Sequence, residues 1–183
     1  LSDGDLGKLK AFAEREQLAV MLQPKGLDSV HTLWPEHADL YFDIPRFDLR
    51  LDFDALDFIQ VNAAINARMI DHALALLDVQ ADESVLDLFC GLGNFTLPLA
   101  RVAKSVVGVE GDHALVARAR RNAERNGIRN AEFFVADLSE NQRDAAWAKR
   151  HYDRVLIDPA RAGAGGHGRT VPTHADAMRA SLE

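Results

Sequence analysis

Hydrophobic and polar positions change rhythm once along this chain, near residue 55. Before that point, Leu6, Leu9, Phe12 and Ala13 recur at helical spacing behind Ser2 and Asp3, so residues 5–17 are expected to form a capped helix. Short apolar runs at 18–23, 29–34 and 40–44 read as strands, the first stopped by Pro24. Phe47, Leu49, Leu51 and Phe53 alternate with Asp48, Arg50 and Asp52, which is the period of a strand with one wet face. After residue 55, strands alternate with helices. Residues 62–77 read as a helix with Ile65, Met69, Ala73 and Leu76 on one apolar stripe. Strands are expected at 84–89, 105–110, 131–135 and 154–157, with helices at 95–103 and 112–126, the last ending before Gly127. This alternation implies an α/β fold, a parallel sheet with helices on both faces, behind a small N-terminal α+β piece.

Composition narrows the classes. The chain has 183 residues, 48% hydrophobic and 27% charged, the profile of a globular domain. No apolar run reaches the roughly 20 residues that a membrane-spanning helix needs, so no membrane is expected. The first residues lack the basic and apolar regions of a signal peptide and read as a cut inside a longer protein. Cys90 is the single cysteine, so neither an intrachain disulfide nor a four-cysteine metal site can form, and no metal is expected. The net charge of −7 argues against a basic nucleic-acid-binding module. Residues 1–60 carry 6 basic and 12 acidic residues and so supply −6 of it. Arg118, Arg120, Arg121, Arg125 and Arg129 form a basic run, read as a solvated helix face.

Candidate chemistry concentrates at Asp87-Leu88-Phe89-Cys90-Gly91-Leu92-Gly93-Asn94-Phe95, a strand running through a two-glycine turn into a helix. Gly91 and Gly93 allow a sharp turn and close approach of a ligand to the main chain. Glu110 ends the next strand, 19 residues after Gly91, where an acid can accept hydrogen bonds from ribose hydroxyls. A dinucleotide fingerprint needs a third glycine, and that place holds Thr96. Asp87 inside the strand suits a ligand carrying a cation, such as S-adenosylmethionine, better than a pyrophosphate, although a nicotinamide oxidoreductase with a degenerate turn stays open. Asp158 and Pro159 follow the fourth strand, where the acid can serve the same crevice or cap a following helix.

In order, Phe58-Ile59-Gln60-Val61-Asn62, the glycine turn through Thr96, Val107-Gly108-Val109-Glu110 and Asp158-Pro159-Ala160-Arg161-Ala162-Gly163 resemble the uracil-C5 RNA methyltransferases. The likeness covers about residues 5–165 and is closest to the bacterial branch that methylates a uridine of 23S ribosomal RNA. It implies a Rossmann-like methyltransferase fold that is incomplete at the C-terminus, S-adenosyl-L-methionine as cofactor, ribosomal RNA as partner of the full-length protein, no obligate protein partner and a cytoplasmic location. It also implies that Gln60, Asp87, Phe89, Gly91, Gly93, Asn94, Glu110, Asp137 and Asp158 line the cofactor site, with Asp158 at the junction with substrate. The implied division is a partial central α+β domain at 1–55, a cofactor-binding domain at 56–165 and an atypical tail at 166–183. Each of these side chains also has a plain structural use: Phe89 as core, Gln60 near a helix start, Asn94 and Asp137 as caps.

Methylation at C5 of uracil needs a thiolate that adds to C6 and a base that takes the C5 proton. In the resembled family the nucleophile sits in a Ser-Cys-Asn-Pro segment, which this sequence lacks, and Cys90 reads as an inert half-buried thiol. The iron–sulfur cluster of the ribosomal RNA branch is expected only in a full-length protein. The tail after Gly163 is polar and glycine-rich, with at most a short helix at 175–182, and His151, His167 and His174 read as surface residues. The chain is therefore expected to bind cofactor and to be inactive alone. A non-catalytic remnant with an open sheet edge is the further alternative.

Overall fold

The structure is a computed structural model that describes residues 1–159. The Ala160-Arg161-Ala162-Gly163 segment, His167, His174 and the whole tail at 166–183 lie outside the described residues. The chain divides into two units, Leu1–Tyr41 with Asp52–Ile59 and Phe42–Leu51 with Gln60–Glu183.

In the first unit, α1 spans Asp3–Glu16. Ser2 caps it: its Oγ accepts from the Asp5 backbone N–H, and the Asp5 carboxylate accepts in return from the Ser2 N–H at 3.0 Å. Aspartate thus plays the part that glutamate usually takes in a capping box. Gln17, in the left-handed region at φ 55°, ends the helix. Strands β1 (Val20–Leu22) and β2 (His31–Trp34) pair antiparallel.

Strands β3 (Tyr41–Ile44) and β4 (Leu49–Asp52) form a two-stranded sheet. Leu49 and Leu51 are buried and Arg50 is half-buried, which is the alternation read from the sequence. Within the second unit this hairpin is fixed by polar contacts rather than by sheet extension. The Asn126 side chain accepts from the Arg50 N–H at 2.8 Å and donates to the Arg50 carbonyl at 2.7 Å. Arg101 donates to the carbonyls of Phe47 and Asp48. Residues 42–51 accordingly cluster with the second unit.

The rest of that unit carries α2 (Ala63–Leu77), β5 (Ser84–Leu88), α3 (Thr96–Ala100), β6 (Ser105–Glu110), α4 (His113–Arg125), β7 (Ala131–Val135) and β8 (Arg154–Ile157). The four strands form one parallel sheet in the order β7-β6-β5-β8. Leu88 lies level with Val109 and Ile157, and Glu110 with Val135, so the carboxyl ends finish along one edge. Asn62 and Asp112 cap α2 and α4 through their side chains, and Gly127 follows α4 at φ 65°.

Four sequence expectations change. The helix expected at 95–103 stops at Ala100, and turn hydrogen bonds carry the chain to Lys104, whose N–H donates to the Glu83 carbonyl and starts β6. The stripe chosen for α2 is off by one position: Asn66 and Ile70 are buried, whereas Ile65, Met69 and Leu76 are exposed. This helix is apolar around most of its circumference, so periodicity alone gave two candidate faces. The helices of the sheet also lie on one face. Thr96 of α3 bonds Asp87, and α2 lines a cleft with Leu156, the residue level with Asp87. The opposite face, with Leu86, Val107 and Val109, packs on Trp147 and on Leu138, Ala145 and Tyr152 from a turn-rich segment. In the basic run, Arg118 departs from the solvated face: it is 5% exposed, on the inner side of α4 with Asn122.

Gly108 has no room for a side chain. A Cβ there would stand 2.9 Å from both Cys90 Sγ and Phe133 Cδ1. Gly108→Ala should lower unfolding free energy by about 1–3 kcal/mol, the usual effect of overpacking a core. Gly111→Ala, where the nearest atom is 3.7 Å away, should change it by less than ~0.5 kcal/mol. Urea titration of both variants checks this, and equal midpoints would contradict the packing described.

Candidate functional site

The turn between β5 and α3 is built from left-handed backbone. Phe89, Gly91 and Gly93 take φ values of 64°, 56° and 100°. Phe89 is the costly one, since a bulky residue rarely adopts that region. Its conformation is held because the N–H groups of Phe89 and Cys90 both donate to the Val109 carbonyl, at 2.8 and 3.1 Å. The two glycines differ in use. At Gly93 a Cβ would press on Leu97 Cγ at 3.1 Å, whereas at Gly91 it would meet nothing within 4 Å. Gly93 therefore serves helix packing, and the backbone at Gly91 is uncrowded.

Glu110 connects this turn to the next one. Its Oε2 accepts from the Gly91 N–H at 3.1 Å, and its Oε1 accepts from the N–H groups of Gly111 and Asp112 at 2.7 and 3.1 Å. A carboxylate offers about four acceptor sites. Three are taken by backbone, so one remains, on the oxygen that faces the glycine turn.

Asp87 stands behind the turn. It is 1% exposed, and Thr96 Oγ1 donates to it at 2.5 Å. Burial raises its pKa from 3.8 to about 7, helped by the charges of Asp158 and Glu110 and opposed by the Thr96 hydrogen bond. Three acids from the ends of β5, β6 and β8 thus converge here. Thr96, in the place of a third glycine, supplies the proton donor that this buried acid needs. Burial also pushes the Cys90 thiol far above its ordinary value, with Asp87 and Glu110 adding repulsion, so it holds no thiolate at neutral pH.

Asn94 forms a reciprocal amide pair with Asn66 of α2. Each Nδ2 donates to the other's Oδ1 at 2.9 Å. Asn66 is a residue that sequence reading missed; the signal was a polar side chain four positions before Ile70 on the inner face of a helix. Gln60 is half-buried two residues before the Asn62 cap, and among the described residues no hydrogen bond ties it to the glycine turn. Phe89 is half-buried beside the turn. Asp137 lies two residues past β7 and is exposed, its Oδ1 accepting from the Ser139 N–H and Oγ at 2.9 and 2.6 Å. Asp158, also exposed, directly follows β8, its N–H directed to the Leu88 carbonyl at 3.4 Å. The β5, β6, β7 and β8 ends thus bring Phe89, Gly91, Asn94, Glu110, Asp137 and Asp158 to one edge of the sheet. A cleft of about 410 Å³ opens between α2 and β8, lined by Met69, Leu76, Leu156, Phe95 and Asp158, and it adjoins this edge through the last two. Its lining includes none of Gly91, Asn94 and Glu110.

A protein-family model described as tRNA (Uracil-5-)-methyltransferase matches residues 10–164. Among curated proteins, the chain is 58% identical over 164 residues to a 23S rRNA (uracil(1939)-C(5))-methyltransferase of Xanthomonas campestris, a match covering 90% of this chain and 37% of that protein. It is 54% identical over 164 residues to the protein of the same name from Xylella fastidiosa. The chain thus spans about 37% of the length of these relatives. Among solved structures it is similar in fold to Pyrococcus abyssi tRNA (uracil-54, C5)-methyltransferase in complex with S-adenosyl-L-homocysteine (24% identity, TM-score 0.58, 80% of this chain and 34% of that one). M. jannaschii TYW2 in complex with AdoMet gives 20% identity and a TM-score of 0.57 over 79% of this chain and 59% of its own. Both likenesses bear out the Rossmann-like methyltransferase fold.

The buried acid has a pH signature. Its folded pKa lies above the unfolded value, so the stability it contributes is complete below about pH 4 and is lost as pH rises toward about 7. Asp87→Asn removes that titration. The stability of wild type relative to Asp87→Asn should fall by a few kcal/mol in total between about pH 4 and pH 7, at up to ~1.4 kcal/mol per unit, and then level off. Denaturant titrations across that range check it. A difference that is flat, or that rises with pH, would contradict a raised pKa.

Proposed function

The chain belongs to the tRNA (uracil-5-)-methyltransferase family, and on that premise we propose that it is the cofactor-binding portion of an enzyme that methylates C5 of a uracil in 23S ribosomal RNA from S-adenosylmethionine. The ribosomal RNA assignment is supported by the 54–58% identity to the Xanthomonas and Xylella proteins of that name. The observation that carries the cofactor assignment is Glu110, which joins two strand-end turns and keeps one acceptor site beside the open backbone of Gly91.

S-adenosylmethionine, when bound, supplies an electrophilic methyl group on a sulfonium. Glu110 accepts a ribose hydroxyl with its remaining lone pair. Gly91 gives close approach to the main chain, and Phe89 packs on apolar surface. Asn94 keeps one N–H and one lone pair beyond its pair with Asn66. Gln60 and Asp137 complete the polar contacts, and Gly93 keeps the helix start close to the turn. Asp87 acts from behind the turn, through Thr96 and through its field on a cationic ligand. Asp158, exposed at the end of β8, stands at the junction with the RNA base. Ribosomal RNA is the partner of the full-length protein. No described helix is long and apolar enough to cross a membrane.

Methyl transfer to C5 also needs a nucleophile at C6. Cys90 is the only cysteine of this chain, and it is buried with its thiol protonated. We therefore infer that the 183-residue chain binds cofactor and product without transferring a methyl group.

Calorimetry with S-adenosylhomocysteine should show one-site binding, and Glu110→Ala should weaken it by about 1–3 kcal/mol through loss of a charged acceptor. A folded protein that gives no heat at millimolar ligand would sink the cofactor assignment. Labelled S-adenosylmethionine incubated with a uracil-containing 23S RNA fragment should leave no label in the RNA. Turnover by the chain alone would overturn the assignment of Cys90 as inert.

A further inference from the structure

We infer that Asn66 is a positioning residue for the cofactor site, fixing the Asn94 amide. This rests on the cofactor-binding role proposed above and adds to it a residue that touches no ligand.

The two amides donate to each other at 2.9 Å in both directions. Asn66 is 4% exposed and sits on the inner face of α2, a place where an apolar residue would normally serve. A buried amide is tolerated only when its polar atoms are satisfied, and here Asn94 supplies the partner atoms. The reciprocal geometry means that one amide cannot turn without the other: a single flip would set N–H against N–H and oxygen against oxygen. The free N–H and the free lone pair of Asn94 are therefore held in fixed directions before a ligand arrives, which reduces the ordering cost of binding.

The pair also ties α2 to the glycine turn. The Asn66 N–H donates to the Asn62 carbonyl at 2.9 Å, and the Asn62 side chain accepts from the Ile65 N–H at 3.1 Å. Gln60 precedes this capped turn by two residues. Among the described residues, no hydrogen bond ties Gln60 to the glycine turn. The Asn66–Asn94 pair is thus the polar tie between the helix that follows Gln60 and the turn that carries Gly91.

The test is a double-mutant cycle in the full chain, read by S-adenosylhomocysteine affinity. Asn66→Ala should weaken binding at least tenfold with far-UV circular dichroism retained. In an Asn94→Ala background the same change should have almost no further effect, because the amide it positions is gone. Asn66→Asp should bind weakly at pH 8 and recover toward wild type as pH falls, since only a protonated acid can both donate to and accept from Asn94. In wild-type protein, the side-chain NH2 resonances of Asn66 and Asn94 should shift together on ligand addition, a reading that needs no variant to fold. An Asn66→Ala protein that binds like wild type would overturn the inference. So would a loss that persists undiminished beside Asn94→Ala, or an Asn66 resonance unmoved while that of Asn94 shifts. If wild type itself shows no binding, the cofactor assignment falls first and this inference falls with it.

Discussion

One carboxylate holds the functional edge of the sheet together. Glu110 receives three backbone N–H groups from two different turns, Gly91 on one side and Gly111 and Asp112 on the other. Turn N–H groups at the ends of parallel strands have no strand partner and need another acceptor. Glu110 satisfies them and fixes the spacing between the β5 and β6 turns. A charged acceptor makes stronger hydrogen bonds than a neutral one, so the arrangement is stiffer than a glutamine would give. The open Gly91 is held by that carboxylate, while the left-handed Phe89 before it is held by the Val109 carbonyl.

A second acid works from the other side of the same turn. Asp87 lies in the buried middle of the sheet, hydrogen-bonded by Thr96 at the start of α3. Gly108 is level with it in β6, where a side chain would collide with Cys90 and Phe133. Asp87, Glu110 and Asp158 together give this edge a negative field, which a sulfonium or ammonium would relieve and a pyrophosphate would not. Thr96, which departs from a dinucleotide fingerprint, is the residue that makes Asp87 tolerable in the core.

The period-two alternation of 49–52 and the short apolar runs at 105–110, 131–135 and 154–157 are legible because strands follow local pattern, although of the three runs only 105–110 is mostly buried. Glu110, Gly91 and Gly93 were legible because spacing and glycine carry chemistry. Other features were not local. α2 is apolar on more than one side, so Asn66 and Ile70 were passed over for Ile65 and Met69, and only the fold decides which face meets the sheet. The Asn66–Asn94 pair spans 28 positions and has no sequence signature. The cover over Leu86 and Val107 comes from Trp147 in a turn-rich stretch whose polarity hid its role. Arg118 is buried within a run of arginines that otherwise reads as solvated, because a charge run says nothing about helix phase.

A crystal structure of the chain grown with S-adenosylhomocysteine tests the central claim most directly. The account predicts ligand density along the β5 and β6 strand ends, with a ribose hydroxyl within hydrogen-bond distance of Glu110 Oε2 and the nucleoside against Gly91. Density for the ligand in the cleft between Met69, Leu76 and Leu156 instead, with Glu110 still bound only to its three backbone partners, would contradict it.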